Sequence, residues 1–390
     1  MTMGNTKPAT IYDVAARAGV SKSLVSLVLQ RSPRVSEQRR AAVLAAIQEL
    51  DYRPSTAAVS LAGTRSRTIG VVLDDFRNQW FVDLLTGLRE ALQDQGHRLV
   101  VADRFLNTGL DVSPVEGFLS MRVEGLVIAG EPDTDLAIPA STPVVVAGGR
   151  AALARADTVA NDDLAGGRMA AEHLIDLGHV RLGFVGGRSA ASDARLEGWR
   201  AAIDAAGTRA GRTASNDATG SSDVVGSSSA AGSSGAAGSS GAAGSSGAAG
   251  SSDVVGSSEV TDVTEVTGVA VVLAADVTEE TGFAGTHRLL DEHPEVTAVF
   301  AANDVTALGA MSAIADRGLR VPEDISVIGY DDTPIAASRY VGLTSIDDRS
   351  IDIGRGAGVR LLERIADPTL TPTEVLVEPR LVARRTTAPR

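Results

Sequence analysis

From Thr68 onward the chain alternates short apolar runs with stretches of helical periodicity, and few folds accommodate that order. TIGVVLDD at 68–75 reads as a strand buried on both faces, QWFVDLLTGLREALQDQ at 79–95 as an amphipathic helix, and HRLVVAD at 97–103 as the next strand. Gly125–Ala129 and Val144–Ala147 are further strands, with a helical segment near 111–121. A second run follows: helix 164–177, strand 181–185, helix 194–206, strand 269–274, helix 281–293, strand 298–301, helix 304–317 and strand 325–330. Such alternation places a parallel sheet between layers of helices, so two runs predict two α/β lobes with doubly wound parallel sheets. Aromatic residues make up only 3% of the chain, so these cores must be packed from Ala, Val, Leu and Ile.

The segment before Thr68 has a different pattern. Thr10 stands three residues before Asp13, a pair that caps a helix running through Val14, Ala15 and Ala18 to Gly19, where a positive φ turns the chain. Ser21 caps a second helix with Val20, Leu24, Val25 and Val28 inward and Lys22, Ser23, Ser26 and Leu27 outward. Ser36 caps a third, 37–50, with Ala42, Val43, Ala46, Ile47 and Leu50 at helical spacing, and Tyr52-Arg53-Pro54 ends it. Two helices across a glycine turn, the second with polar residues outward near its N-terminus, are the order that reads a DNA major groove. Charge agrees: residues 1–67 carry ten Lys/Arg against four acids, whereas the whole chain is at −13, so only the basic end suits phosphate. A protein-interaction module with a solvated basic face is the alternative for three such helices.

Cysteine is absent, which excludes disulfides, thiolate metal sites and thiol nucleophiles. No apolar run approaches the roughly 20 residues that span a bilayer, and the N-terminus lacks the order of a signal peptide, so a cytoplasmic protein without membrane contact is expected. No G-x-S-x-G, P-loop or H-E-x-x-H string occurs, and the five His (97, 173, 179, 287 and 293) have no mutual ligand spacing. No catalytic residue, cofactor or metal site is predicted, and the chain does not read as an enzyme.

TIYDVAARAGVS at 10–21, the Val25-Ser26 pair, RVSEQRR at 34–40, the Tyr52-Arg53-Pro54 exit and Leu61-Ala62 resemble the headpiece and hinge helix of the lactose-repressor (LacI/GalR) family of bacterial transcription regulators. The resemblance resumes in DDLAGGRMAAEHLIDLGHVRLGFVGG at 162–187, ARLEGWRAAI at 194–203, TAVFAANDVTALGAM at 297–311, GLRVPEDISVIGYDDTP at 318–334 and LTSID at 343–347. It implies an all-α helix-turn-helix headpiece at 1–53, a hinge helix and linker at 54–66, and a two-lobed effector domain at 67–390 related to periplasmic sugar-binding proteins. The first lobe would span about 67–161 plus a late return segment, the second about 162–340.

Site residues follow from the same resemblance. Lys22, Ser23 and Leu27 fall at specificity positions in the major groove, and Thr10, Ser21, Ser26 and Arg34 near phosphates. Residues 55–62 would become helical on operator DNA, with Ala58 and Leu61 at the duplex and Leu61 wedged into the central step from the minor groove. A pocket between the lobes at the strand C-termini would draw on Asp75, Asn78, Trp80 and Phe81 from the first lobe and Arg195, Asn303 and Asp331 from the second. Forked donors, acceptors and a flat apolar face suit a polyhydroxylated effector such as a sugar. The implied protein is a homodimeric repressor on a pseudo-palindromic operator; a solute-binding protein of a sugar uptake system is the alternative, and has no use for residues 10–62. Departures bear on specificity: Leu27 stands where the repressor that names the family has arginine, Gly148-Gly149 where it has a ligand-contacting acid, Asp348 at a frequent glutamine, and Val277 where several relatives stack an aromatic.

One stretch has no counterpart in that pattern. Residues 208–268 replace a short connection, and Ser221–Gly256 repeats with period six as SSDVVG, SSSAAG, three SSGAAG and SSDVVG. The central copies offer only Ala to bury, so the tract reads as a flexible Gly/Ser/Ala insert with a small loop-closure cost. The closing RRTTAPR carries no apolar heptads, so a dimer rather than a coiled-coil tetramer is expected.

Overall fold

The computed structural model describes residues 9–29, 32–52, 66–108, 113–133, 136–151, 153–219, 260–266, 269–274 and 276–390. The predicted hinge positions Ala58 and Leu61 and the hexapeptide repeats lie outside these residues.

The headpiece is α1 (Ile11–Ala18), α2 (Lys22–Leu29) and α3 (Glu37–Glu49). Thr10 and Asp13 cap α1 reciprocally: the Thr10 N–H donates to Asp13 Oδ2 at 2.7 Å, and the Asp13 N–H donates to Thr10 Oγ1 at 3.4 Å. Gly19 then turns the chain at φ +64°, its N–H returning to the Ala15 and Ala16 carbonyls. Ser21 Oγ accepts from the Leu24 N–H at 3.3 Å and starts α2. Ser36, by contrast, makes no side-chain cap on α3; it is exposed, and so are the first residues of that helix, so water can serve their N–H groups. Val14, Ala15, Val25, Val28, Val35, Val43, Ala46 and Tyr52 form the core. Ala42, expected on the inner stripe, is exposed, because it lies one helical step off the Val43–Ala46–Ile47–Leu50 face.

Next come β1 (Thr68–Leu73), α4 (Trp80–Gln93), β2 (Arg98–Asp103), α5 (Pro114–Ser120), β3 (Gly125–Ala129), β4 (Val144–Ala147) and β5 (Asp157–Asn161). The chain then supplies α6 (Asp163–Asp176), β6 (Leu182–Gly187), α7 (Ala190–Thr219), β7 (Val260–Val266), β8 (Val269–Ala274), α8 (Glu279–Glu292), β9 (Ala298–Ala301), α9 (Asp304–Asp316), β10 (Ser326–Tyr330) and β11 (Thr344–Asp347). After these come α10 (Ser350–Ala366), β12 (Glu374–Val377) and β13 (Arg380–Val382). Two compact units result, Met1–Asn161 with Arg349–Val377 and Asp162–Asp348 with Glu378–Arg390.

The first lobe's sheet has the order β12-β5-β4-β3-β1-β2 and is parallel throughout. β3 and β4 are buried along their whole length, as strands covered on both faces must be. The second lobe's sheet runs β13-β11-β10-β9-β6-β8-β7, a parallel centre with antiparallel edges at β13 and β7. Two features depart from the expected boundaries of the insert. α7 continues past residue 206 to Thr219, and β7 pairs with β8 along Val269–Ala274, so both flanks of the repeat tract are regular structure.

Three helix pairs approach so closely that glycine is required on both members. A Cβ on Gly87 of α4 would stand 1.9 Å from the Ile351 carbonyl oxygen of α10, and one on Gly354 the same distance from that of Leu84. Gly167 and Gly198 do the same for α6 and α7, and Gly282 and Gly309 for α8 and α9.

Candidate functional site

On the headpiece, α2 turns Val25 and Val28 inward and leaves Lys22 and Ser23 exposed, with Leu27 at 37% exposure. Lys22 Nζ sits 3.2 Å from the Tyr12 hydroxyl and 4.9 Å from its ring centroid. Tyr12 is 64% exposed beside the candidate reading residues and was missed by motif reasoning. Thr10, Ser21 and Arg34 are exposed, and Ser26 is half-buried. An Arg17–Glu49 ion pair ties α1 to α3. The surface is thus a short helix whose N-terminal face carries a cation, two hydroxyls and an apolar side chain, which can meet phosphates, base edges and a thymine methyl.

In the first lobe the strand C-termini bring together residues that no single motif contains. Arg104 after β2 donates to the Glu131 carbonyl at 2.6 Å and lies 3.4 Å from Asp74, just past β1. Glu131, after β3, accepts from the Arg150 and Ala151 N–H groups at 2.9 and 3.0 Å, fastening the turn that leaves β4. The Arg150 guanidinium reaches the Asn161 carbonyl at the end of β5. Burial pushes the Asp74 carboxyl above its ordinary range, against the pull of Arg104. Gly130 and Gly148 both have positive φ, and a Cβ at either would run into Asp74 or the Trp80 ring at 2.2–2.3 Å.

The predicted first-lobe residues have other duties as well. Asp75 is chelated by Arg77, whose N–H and guanidinium both donate to it, and the pair holds the Asp75 carboxyl below its usual range. Asn78 Oδ1 accepts from the Trp80 N–H at 3.0 Å. Trp80 and Phe81 are 8% and 5% exposed, edge to face at 5.0 Å, and belong to the core with Leu84 and Leu88. The inward stripe of α4 claims both aromatics, so neither offers the open flat face expected of it.

The second lobe's strand ends converge on Arg195 of α7. Its Nε donates to Asp163 Oδ1 at 2.8 Å, its Nη1 donates to the Ala302 carbonyl and stands 3.6 Å from Asp331, and its guanidinium carbon lies 3.6 Å from the Tyr330 ring centroid. Burial works against the Arg195 charge, but Asp163 and Asp331 outweigh it and hold the group firmly protonated. Burial drives the Asp331 carboxyl well upward; Arg195 opposes this, and Asp348, Asp304 and Asp163 add to it. Asp331 and Asp332 adopt φ of +96° and +48°, strain of the kind that accumulates at binding sites. Asn303 is buried as the cap of α9, accepting from the Thr306 N–H at 2.8 Å. Asp163 and Tyr330 were visible only as parts of the longer strings around them.

Chemically, a buried fork among carboxylates offers donors and acceptors in fixed directions without a nucleophile and base in register. Among the described residues no group of His, Cys, Asp and Glu could hold a metal ion, and no helix is long and apolar enough to cross a membrane.

A helix-turn-helix headpiece followed by two parallel-sheet lobes with polar strand ends defines a ligand-responsive DNA-binding regulator. Residues 10–55 match the bacterial regulatory proteins of the lacI family, 66–233 the periplasmic binding proteins and sugar binding domain of that family, and 255–387 a periplasmic binding protein-like domain. The chain belongs to the LacI family. It is 31% identical to the HTH-type transcriptional repressor PurR of Haemophilus influenzae (strain PittEE) over 369 residues, 92% of this chain and 91% of that one. Among solved structures, the Lac repressor dimer bound to operator and the anti-inducer ONPF superposes with a TM-score of 0.67 at 28% identity, covering 98% of this chain and 100% of that one. The CelR–cellobiose complex gives 0.60 at 27% identity, covering 97% and 99%.

Proposed function

We propose that this chain is a cytoplasmic, non-enzymatic repressor that binds a pseudo-palindromic operator as a homodimer and is controlled by a polyhydroxylated effector, a sugar or sugar derivative. Residues 1–53 are the reading headpiece, 54–66 the hinge, and the two lobes the sensor. Lys22, Ser23 and Leu27 contact bases; Thr10, Ser21, Ser26 and Arg34 contact phosphates; Ala58 and Leu61 act from the hinge. Leu27 selects a thymine methyl rather than a guanine. Arg195 and Asp331, with Asp75, Asn78 and Asn303 shaping the walls, hold the effector hydroxyls, and Trp80 and Phe81 support the site from within the core. Complexes of relatives with an operator and the anti-inducer ONPF, and with cellobiose, support this class of ligand. The effector acts only through its different affinity for the two states of the protein.

One observation carries the reading: the chain that exposes Lys22, Ser23 and Leu27 on α2 also builds a lobe whose strand ends converge on Arg195 and Asp331. The test is selection of a palindromic fragment from a random pool, followed by a panel of mono- and disaccharides. Arg195→Lys keeps the charge but loses the fork, so it should abolish the response to the active sugar while operator binding stands. Selection that returns no palindrome, or an unaltered response in Arg195→Lys, would defeat the assignment.

A further inference from the structure

Four arginines stand at the strand-start end of the first-lobe sheet. Arg67 immediately precedes β1, Arg98 opens β2, Arg122 lies just before β3, and Arg155 just before β5. These strands are parallel neighbours in the order β5-β4-β3-β1-β2, so their starts share one end of the sheet. All four side chains are exposed, and none forms an ion pair among the described residues. The carboxylates closest in sequence to Arg122 and Arg155 are already engaged: Glu124 lies 3.3 Å from His97, and Asp157 2.8 Å from Arg364. Asp94, Asp367 and Glu374 are exposed acids of this end, and Asp367 already accepts from the Thr369 N–H and hydroxyl, which leaves too few to neutralise four guanidinium groups.

Local conformation does not account for these arginines. Arg67, Arg122 and Arg155 have φ of +46°, +53° and +68°, a region where glycine or asparagine is the easy choice. At the start of β4, between Arg122 and Arg155, a groove with largely apolar walls such as Pro139, Leu153 and Pro368 also takes in Arg155, Thr142 and Thr369 and no carboxylate. Arg364, which also lines it, is held by Asp157, and Thr369 by Asp367, so the open cation of this groove is Arg155, and an arginine fork binds phosphate oxygens bidentately. Sequence continuity names the partner: Arg67 closes the basic segment 1–67 of a chain whose net charge is −13.

We propose that this end of the first lobe contacts the phosphates of double-stranded DNA, adding sequence-independent affinity to what the headpiece reads. The proposal rests on the regulator reading above. Binding of the full chain to its selected palindrome and to a scrambled fragment of equal length, followed from about 50 to 200 mM salt, tests it. The R67A/R98A/R122A/R155A variant should weaken both complexes by the same factor. It should also flatten the plot of log affinity against log salt by about 0.9 for each phosphate that is no longer neutralised, with the thermal midpoint unchanged. Lysine at the four positions should restore most of the slope. An unchanged slope, or a weakening confined to the palindrome, would overturn the proposal. Intact duplex binding together with abolished binding to phosphatidylglycerol vesicles would overturn it in favour of a membrane surface. A wild-type chain that prefers no palindrome counts instead against the regulator reading, which separates the two failures.

Discussion

The guanidinium carbon of Arg195 lies over Tyr330, 3.6 Å from the ring centroid, and this cation–π contact accompanies an ion pair to Asp163 and a longer one to Asp331. Arg195 is therefore a structural element of the second lobe as well as the candidate ligand group. Arg195→Ala would leave carboxylates buried without their cation, a change that costs about 3–5 kcal/mol. Urea melts should show that loss in Arg195→Ala and a smaller one in Arg195→Lys. Equal stability of Arg195→Ala and the wild type would mean that the buried cluster is solvated in solution.

Gly87 and Gly354 give a second expectation. Alanine is the better helix former by about 1 kcal/mol, so propensity alone says that Gly87→Ala stabilises α4. The added Cβ meets a backbone oxygen at 1.9 Å, which no rotamer change can relieve. Overpacking of this kind costs about 1–3 kcal/mol or more and should win. Calorimetry should show a lowered midpoint for Gly87→Ala and for Gly354→Ala, and an increase in either would refute the close approach.

Asp304 should make the second lobe more stable in mild acid. It is fully buried and accepts from Thr333 and Ser345; burial outweighs these bonds and raises its carboxyl to about 6. The folded state then holds the proton more tightly than the unfolded chain, whose carboxyl titrates near 3.8. This contribution is complete below the unfolded value and disappears as pH rises through the folded one. Between pH 5 and 7.5 the loss is on the order of 1 kcal/mol. Stability of the wild type relative to Asp304→Asn should fall over that window. A flat difference would place the carboxyl at its ordinary value.

The repeat tract can be trimmed, but only up to a limit. Excising 221–256 should leave the melting temperature and operator affinity within error, because loop-closure entropy changes slowly with length. Extending the cut through Val266 removes β7 and bares the β8 edge, so aggregation on heating should appear in light scattering. Equal behaviour of the two deletions would show that β7 contributes nothing to the sheet.

Much of this architecture is legible in the sequence because the parallel strands are continuous apolar runs and the headpiece caps its first helix with Thr10 and Asp13. α10 is harder to read: Gly354, Gly356 and Gly358 break its apolar rhythm, and the structure shows Gly354 held against α4. Trp80 and Phe81 could be ligand faces or core on periodicity alone, and only packing decides between them. Asp74, Arg104, Glu131 and Arg150 meet at four different strand ends, so no string could reveal their network. Arg195 and Asp331 each sit inside a long recognisable run, which is why the sequence alone points to them as candidates.

Neither lobe is contiguous in the chain, and synthesis must respect that. When residue 161 leaves the ribosome, the first lobe still lacks α10 and β12, and the α4 side chains Leu84, Leu88 and Leu92 await the partners Ile353, Ala357 and Leu361. About 190 residues of the other lobe are made before α10 follows. At typical elongation rates that interval lasts about 10–40 s. During it the nascent first lobe is a sheet with a bare apolar helix, a natural client for a ribosome-bound chaperone, while the later lobe gathers most of its own strands without waiting.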